Sequence, residues 1–148
     1  MVDKSHWSKI WPHPYSPSEE DVQLYKNYMV EGTSLLLGCT RQLVNLSNKQ
    51  MDIDPFLDAP TVIVGDWTKN TTYYDNIIGD GVVNFTKELE EKLLKMSSKY
   101  CKRFIVRAFN YKLDKMRIAA NFPKAEDFSI KPTEIKKFKE YTFFVWHF

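Results

Sequence analysis

Four successive apolar runs of this chain end in glycine, aspartate or both. Gly38 follows "SLLL", Asp52 closes "KQMD", Gly65-Asp66 follows "TVIV", and Gly79-Asp80-Gly81 follows "DNII". A glycine in such a place lets a ligand approach the backbone or lets the chain turn with positive φ. A carboxylate can accept hydrogen bonds from vicinal hydroxyls or from an amine, and beside a reacting atom it can take a proton. Several carboxylates along one rim make an electronegative lip suited to a cationic ligand. A single Gly-Asp is ordinary turn chemistry. Four strand ends in a row point to a site. Metal chemistry is not expected, because His6, His13 and His147 are isolated and Cys39 and Cys101 lack ligand spacing.

These positions need elements to hold them. "SPSEEDVQLYKNYMV" predicts a helix with Ser16 as N-cap, Pro17 in first position and Glu19 closing a capping box. Val22, Tyr25 and Met29 follow at helical spacing, and Gly32 stops the helix. Strands are predicted at 34–40, 49–56, 61–67, 74–81 and 102–111, with a last one in "YTFFVWHF". Helices are predicted at 41–48, over "NFTKELEEKLLKMSSKY" with Phe85, Leu89, Leu93, Met96 and Tyr100 in one stripe, near 112–120, and in "PTEIKKFKE". Residues 1–15 read as an irregular arm whose Trp7, Trp11 and Tyr15 pack on the domain or cover a ligand; 16–148 form one domain. Apolar strands alternating with helices indicate an α/β fold: a mostly parallel sheet with helices on both faces. In such sheets ligands bind outside the carboxyl ends of the strands.

Composition sets the class. The 148 residues are 43% hydrophobic and 27% charged, enough for one folded core and against disorder. No apolar stretch reaches the roughly 20 residues of a membrane span, and "MVDKSHWSKIWPHPY" lacks a signal-peptide core, so a cytoplasmic protein is expected. Residues 99–140 carry 12 Lys/Arg against 5 Asp/Glu, but these are scattered, as in solvated loops. Nucleic acid is not the expected partner.

The order "SLLLGCT…MDIDPF…TVIVGDW…IIGDGVVNF…KRFIVRAFN" resembles the class I S-adenosylmethionine-dependent methyltransferases over about residues 15–111. The resemblance implies a Rossmann-like domain, reduced in size, with S-adenosylmethionine as cofactor. Gly38, Cys39 and Thr40 would line its methionine end. Asp52, or failing it Asp54, would bind the ribose hydroxyls. Asp66 and Trp67, with Gly65, would hold the adenine. Asp80, between Gly79 and Gly81, would sit where methyl meets acceptor and serve as base, with Tyr15 and Asn84 as orienting groups. Asn84 as a helix N-cap is the simpler alternative.

The chain also departs from the pattern. Its glycine loop has one glycine, and 14 positions separate Gly38 from Asp52 where roughly 20 are usual. Nine residues from Asp52 to Thr61 leave no room for a crossover helix, and one strand is expected after residue 111 where the family has two. Uncovered sheet would favour a homo-oligomer. The expected activity is methyl transfer to a small-molecule or protein acceptor. A non-catalytic module that keeps the fold, and binds the cofactor or a partner protein, is the alternative.

Overall fold

The computed structural model describes residues 11–116 and 118–148; Trp7 and His6 lie outside them. The elements run α1 (Glu19–Tyr28), β1 (Ser34–Leu37), α2 (Arg41–Val44), β2 (Lys49–Asp52), β3 (Val62–Val64), β4 (Tyr74–Asp80), α3 (Lys87–Tyr100), β5 (Cys101–Phe109), β6 (Glu134–Lys137) and β7 (Tyr141–His147). Single 3-10 turns stand at Trp67–Lys69 and Ala125–Asp127.

One seven-stranded sheet has the order β3-β2-β1-β4-β5-β7-β6. The first five strands are parallel, and β7 runs antiparallel between β5 and β6. A doubly wound dinucleotide-binding sheet has order 3-2-1-4-5-6; here a hairpin replaces its last strand. Alternation along the strands sends side chains to two faces. Leu35, Leu37, Ile77, Phe104 and Val106 pack with Leu93, Leu94 and Met96 of α3. Leu36, Ile78, Ile105, Phe143 and Val145 pack with Tyr25 of α1 and Leu43 of α2. The sheet is therefore covered on both faces at its centre, as the near-continuous apolar runs require.

Several boundaries differ from the sequence reading. The first helix starts two residues later than expected. Ser18, not Ser16, is its N-cap, and Asp21, not Glu19, closes the capping box. It ends at Tyr28, before Gly32. Gly32 instead has φ +134°, and an added Cβ there would strike Asp75. The cap of α3 is Thr86, whose hydroxyl accepts from Leu89 N at 3.1 Å; Asn84 is not the cap.

Among the described residues no helix forms near 112–120. Asn110 ties the chain after β5 to the turn before β7, donating to Phe138 O and Lys139 O, and the backbone of Ala120 and Asn121 donates to Asn84 O. "PTEIKKFKE" is not a helix either but holds β6, whose four residues are all exposed. Two strands thus follow residue 111 where one was expected. The exposed lysines of β6 disguise it, since a Lys-rich edge is how sheets resist edge pairing.

The expected gap between β2 and β3 is present. No helix crosses it, and Ile53 and Val64 are left 72% and 69% exposed at that sheet edge.

Candidate functional site

Register gathers the strand ends. Leu37 is level with both Met51 and Gly79, Asp52 with Val64, and Asp80 with Arg107. The residues that follow therefore share one edge, with neighbouring strands about 4.8 Å apart. A cavity of about 540 Å³ opens there. Its walls include Gly38, Cys39, Thr40, Asp52, Gly65, Asp66, Trp67, Asp80, Gly81, Tyr15 and Asn84. Of the residues assigned from sequence to cofactor or acceptor, Gly79 alone is not in the lining. An added Cβ at Gly79 would come within 2.8 Å of Val82, so this glycine serves packing beneath the cavity floor.

The β1 end turns sharply. Gly38 has φ +93°, a left-handed conformation that glycine adopts without a Cβ penalty. Its N–H donates to Met51 O at 2.8 Å, and Thr40 leads into α2. Cys39 is buried, and burial with the nearby Asp52 charge pushes its thiol up to about 11. It is not a nucleophile at neutral pH.

Asp52 ends β2 with one carboxylate oxygen accepting from Ile53 N at 2.8 Å. Partial burial raises its pKa against that hydrogen bond, so the ionised group lacks full solvation. Asp66, by contrast, is held below the usual carboxylate range by the N–H and hydroxyl of Thr68, each donating to Oδ1 at 2.9 Å. Its Oδ2 is left for other partners. Trp67 is fixed by its indole N–H, which donates to Met51 O at 2.6 Å. Its ring edge lies 3.7 Å from where a Gly38 Cβ would stand, and Phe85 packs at 6.1 Å. Two carboxylates and two aromatic rings thus flank the β1–β3 side of the cavity.

The β4 side corrects the sequence reading. Asp80 is not a free base. Arg107 Nε donates to its Oδ1 at 2.6 Å and Arg107 Nη2 to its Oδ2 at 3.1 Å. The hydroxyl of Tyr25 donates to Gly79 O at 2.7 Å and lies 3.2 Å from Asp80 Oδ1. Arg107 is fully buried; burial opposes its charge, but Asp80 and Asp21 outweigh that and raise its pKa. It also lies over the rings of Phe109 and Tyr141. Both carboxylate oxygens are thus committed to a buried guanidinium.

Asn84 likewise has its amide committed. It donates to Phe109 O and Asn121 O at 3.1 and 2.9 Å and accepts from Phe109 N at 2.9 Å. It braces the loop after β4.

Part of the predicted arm roofs this side. Arg107 Nη2 donates to Tyr15 O at 3.2 Å, and His13 Nε2 lies 2.9 Å from Tyr141 Oη and 3.2 Å from Asp21 Oδ2. Tyr25, Asp21, Arg107 and Tyr141 form a charged core network that the sequence reading missed. The signal was Arg107 amid the apolar run "FIVRAF", where a buried charge demands a partner. Among the described residues no group of His, Cys, Asp and Glu could hold a metal ion.

No protein-family model matches the chain, and no curated protein matches it by sequence. Solved structures do. TehB from Haemophilus influenzae aligns over 97% of this chain and 66% of its own, with TM-score 0.63 and 12% identity. Magnesium protoporphyrin IX methyltransferase from Synechocystis, crystallised with S-adenosylhomocysteine, aligns over 86% and 80%, with TM-score 0.55 and 14% identity. A putative Zn-dependent alcohol dehydrogenase from Rhodobacter sphaeroides aligns over 75% and 54%, with TM-score 0.60 and 18% identity. The chain thus spans between about half and four fifths of these proteins' lengths. At such identities the likeness concerns the fold alone: with the strand order it makes this a Rossmann-like, mostly parallel α/β sheet of the kind these proteins carry.

Proposed function

We propose that this protein binds S-adenosylmethionine at the carboxyl edge of β1–β4 and transfers its methyl group to a small acceptor. The observation that carries this reading is the convergence of Gly38, Asp52, Asp66 and Trp67 on one cavity at the strand ends. The residues fit the group. The under-solvated Asp52 suits a pair of ribose hydroxyls, which would supply the hydrogen bonds it lacks. Asp66 Oδ2 and the Trp67 ring suit an adenine amine and its apolar face. The turn Gly38–Thr40 suits the methionine end. The acidic rim favours a sulfonium cation over a neutral ligand.

When bound, the cofactor supplies an electrophilic methyl on a good, neutral leaving group. The chain's own work is then to hold acceptor and methyl in line and to exclude water. Asp80 and Arg107 do this as a rigid floor, and the segment from Trp11 to Pro17 does it as a roof. Asp80 is therefore assigned a positioning role rather than the base role expected from sequence.

Calorimetric titration with S-adenosylmethionine and S-adenosylhomocysteine tests the reading. Asp52→Ala should weaken binding by about 1.5–3 kcal/mol, the range for losing hydrogen bonds to a charged group. No heat at millimolar ligand for the unmutated protein would sink it. The engagement of Asp80 favours a second reading, a non-catalytic module that binds the cofactor without turning it over. A release assay for S-adenosylhomocysteine across acceptor pools separates the two.

A further inference from the structure

The cavity has a second half, between the β4–β5 ends and the roof, and its chemistry differs from that of the half holding Asp52 and Asp66. Its acceptors are spent. Both Asp80 oxygens are forked by Arg107, and the Asn84 carbonyl receives Phe109 N. What remains uncommitted among the described lining side chains is a set of donors. The Tyr15 hydroxyl accepts from Lys115 N at 3.2 Å and keeps its own O–H. The Ser16 hydroxyl accepts from Trp11 N at 2.8 Å and keeps its own. The Lys115 ammonium stands 5.8 Å from the Trp11 ring centroid and has no carboxylate partner among the described residues. Apolar faces of Trp11, Phe109 and Met116 complete this half.

Donors and a cation set among apolar faces select an anion with an apolar body. Size sets a further limit. At about 540 Å³ the whole cavity lies within the range for a single drug-sized ligand, so little room remains beside a cofactor.

We propose that this half binds a small acceptor with an apolar face and an anionic group, a carboxylate or thiolate, paired by Lys115 and the Tyr15 and Ser16 hydroxyls. The proposal rests on the cofactor reading above and names its substrate class. An anion needs no base. Its own lone pair forms the bond to the methyl carbon, the pair of the broken carbon–sulfur bond stays on sulfur, and the two charges cancel with no proton moved. That agrees with a floor whose only carboxylate is locked.

Benzoate and its neutral analogue benzamide are the probes. Each is titrated calorimetrically with and without saturating S-adenosylhomocysteine. Benzoate should bind about tenfold or more tighter than benzamide, the ratio expected for one charge-assisted hydrogen bond. Lys115→Gln should shrink that ratio to about threefold or less while leaving S-adenosylhomocysteine affinity unchanged, and Tyr15→Phe should reduce it too. Equal binding of the two probes, or an undiminished ratio in Lys115→Gln, overturns the proposal. Absence of S-adenosylhomocysteine binding with the benzoate preference intact overturns the cofactor reading alone. Cofactor-product binding without that preference overturns this inference alone.

Discussion

Replacing Asp80 by Asn should unfold the protein more readily before it does anything to chemistry. Arg107 is fully buried and Asp80 nearly so, with both carboxylate oxygens in the guanidinium fork. Removing one partner of such a pair typically costs about 3–5 kcal/mol, because the other charge stays buried. Some of that is recovered here. Arg107 keeps Asp21 at 3.4 Å, the Tyr15 carbonyl and two aromatic faces, and an Asn side chain can still accept one hydrogen bond. We therefore expect about 2–4 kcal/mol of destabilisation, or a fall in Tm of roughly 5–15 °C for a domain of this size. Urea unfolding followed by circular dichroism measures it, with a double-mutant cycle through Arg107→Met isolating the pair. Apolar replacement of both partners should recover much of the loss, so Asp80→Leu combined with Arg107→Met should be more stable than Asp80→Asn. A change under about 0.5 kcal/mol in Asp80→Asn, with no coupling in the cycle, would refute the locked pair and restore Asp80 as a candidate base.

Three further outcomes are expected. Binding of S-adenosylhomocysteine should weaken as pH falls through the raised pKa of Asp52, at a higher pH than an ordinary aspartate would give, because the protonated carboxyl loses its acceptor capacity; calorimetry from neutral to acid pH on the folded protein checks this, and an acid limit set only by unfolding would count against it. Asn84→Leu should cost about 1–3 kcal/mol or more by orphaning the backbone groups of Phe109 and Asn121, read as a lower urea midpoint. We also propose that a second copy covers the uncrossed edge at β2–β3, where Ile53 and Val64 are exposed; Val64→Lys should then shift light scattering toward monomer, and a monomeric unmutated protein at micromolar concentration would exclude it.

The parallel half of the fold was legible because its strands are short, apolar and punctuated. "SLLLG", "TVIVGD" and "NIIGDG" each carry a buried run and a stop, and β1, β3 and β4 begin and end within a few residues of the expected places. The hairpin half was not. The four residues of β6 bury nothing, so no periodicity marks them, and only pairing with β7 makes them a strand. The loop after β5 was misread for the opposite reason. "KLDKMRIAA" has helix-forming residues, but Asn110 and Asn84 draw its ends to other elements. Local propensity lost to tertiary hydrogen bonds there. The charged network was half legible. "FIVRAF" announces a buried arginine, whereas its partner depends on register and cannot be read from either segment alone.

The two Gly-Asp pairs make that last point concrete. Both follow a strand of valine or isoleucine, and sequence gives them one reading. β3 is the edge of the sheet, so Asp66 bonds to the turn that follows it, where Thr68 lowers its pKa and occupies one of its two oxygens. β4 is central, and its register with β5 sets Asp80 opposite Arg107. An arginine on a strand buried on both faces has no route to solvent, so the nearest carboxylate must neutralise it. The same dipeptide therefore becomes a cavity-lining acceptor at the edge and an internal counter-ion at the centre. Position in the strand order, rather than residue type, separates an open carboxylate from a paired one at this site. Both Asp80 oxygens at the β4 end are therefore spent on Arg107, whereas Asp66 at the edge keeps one oxygen clear of its own turn.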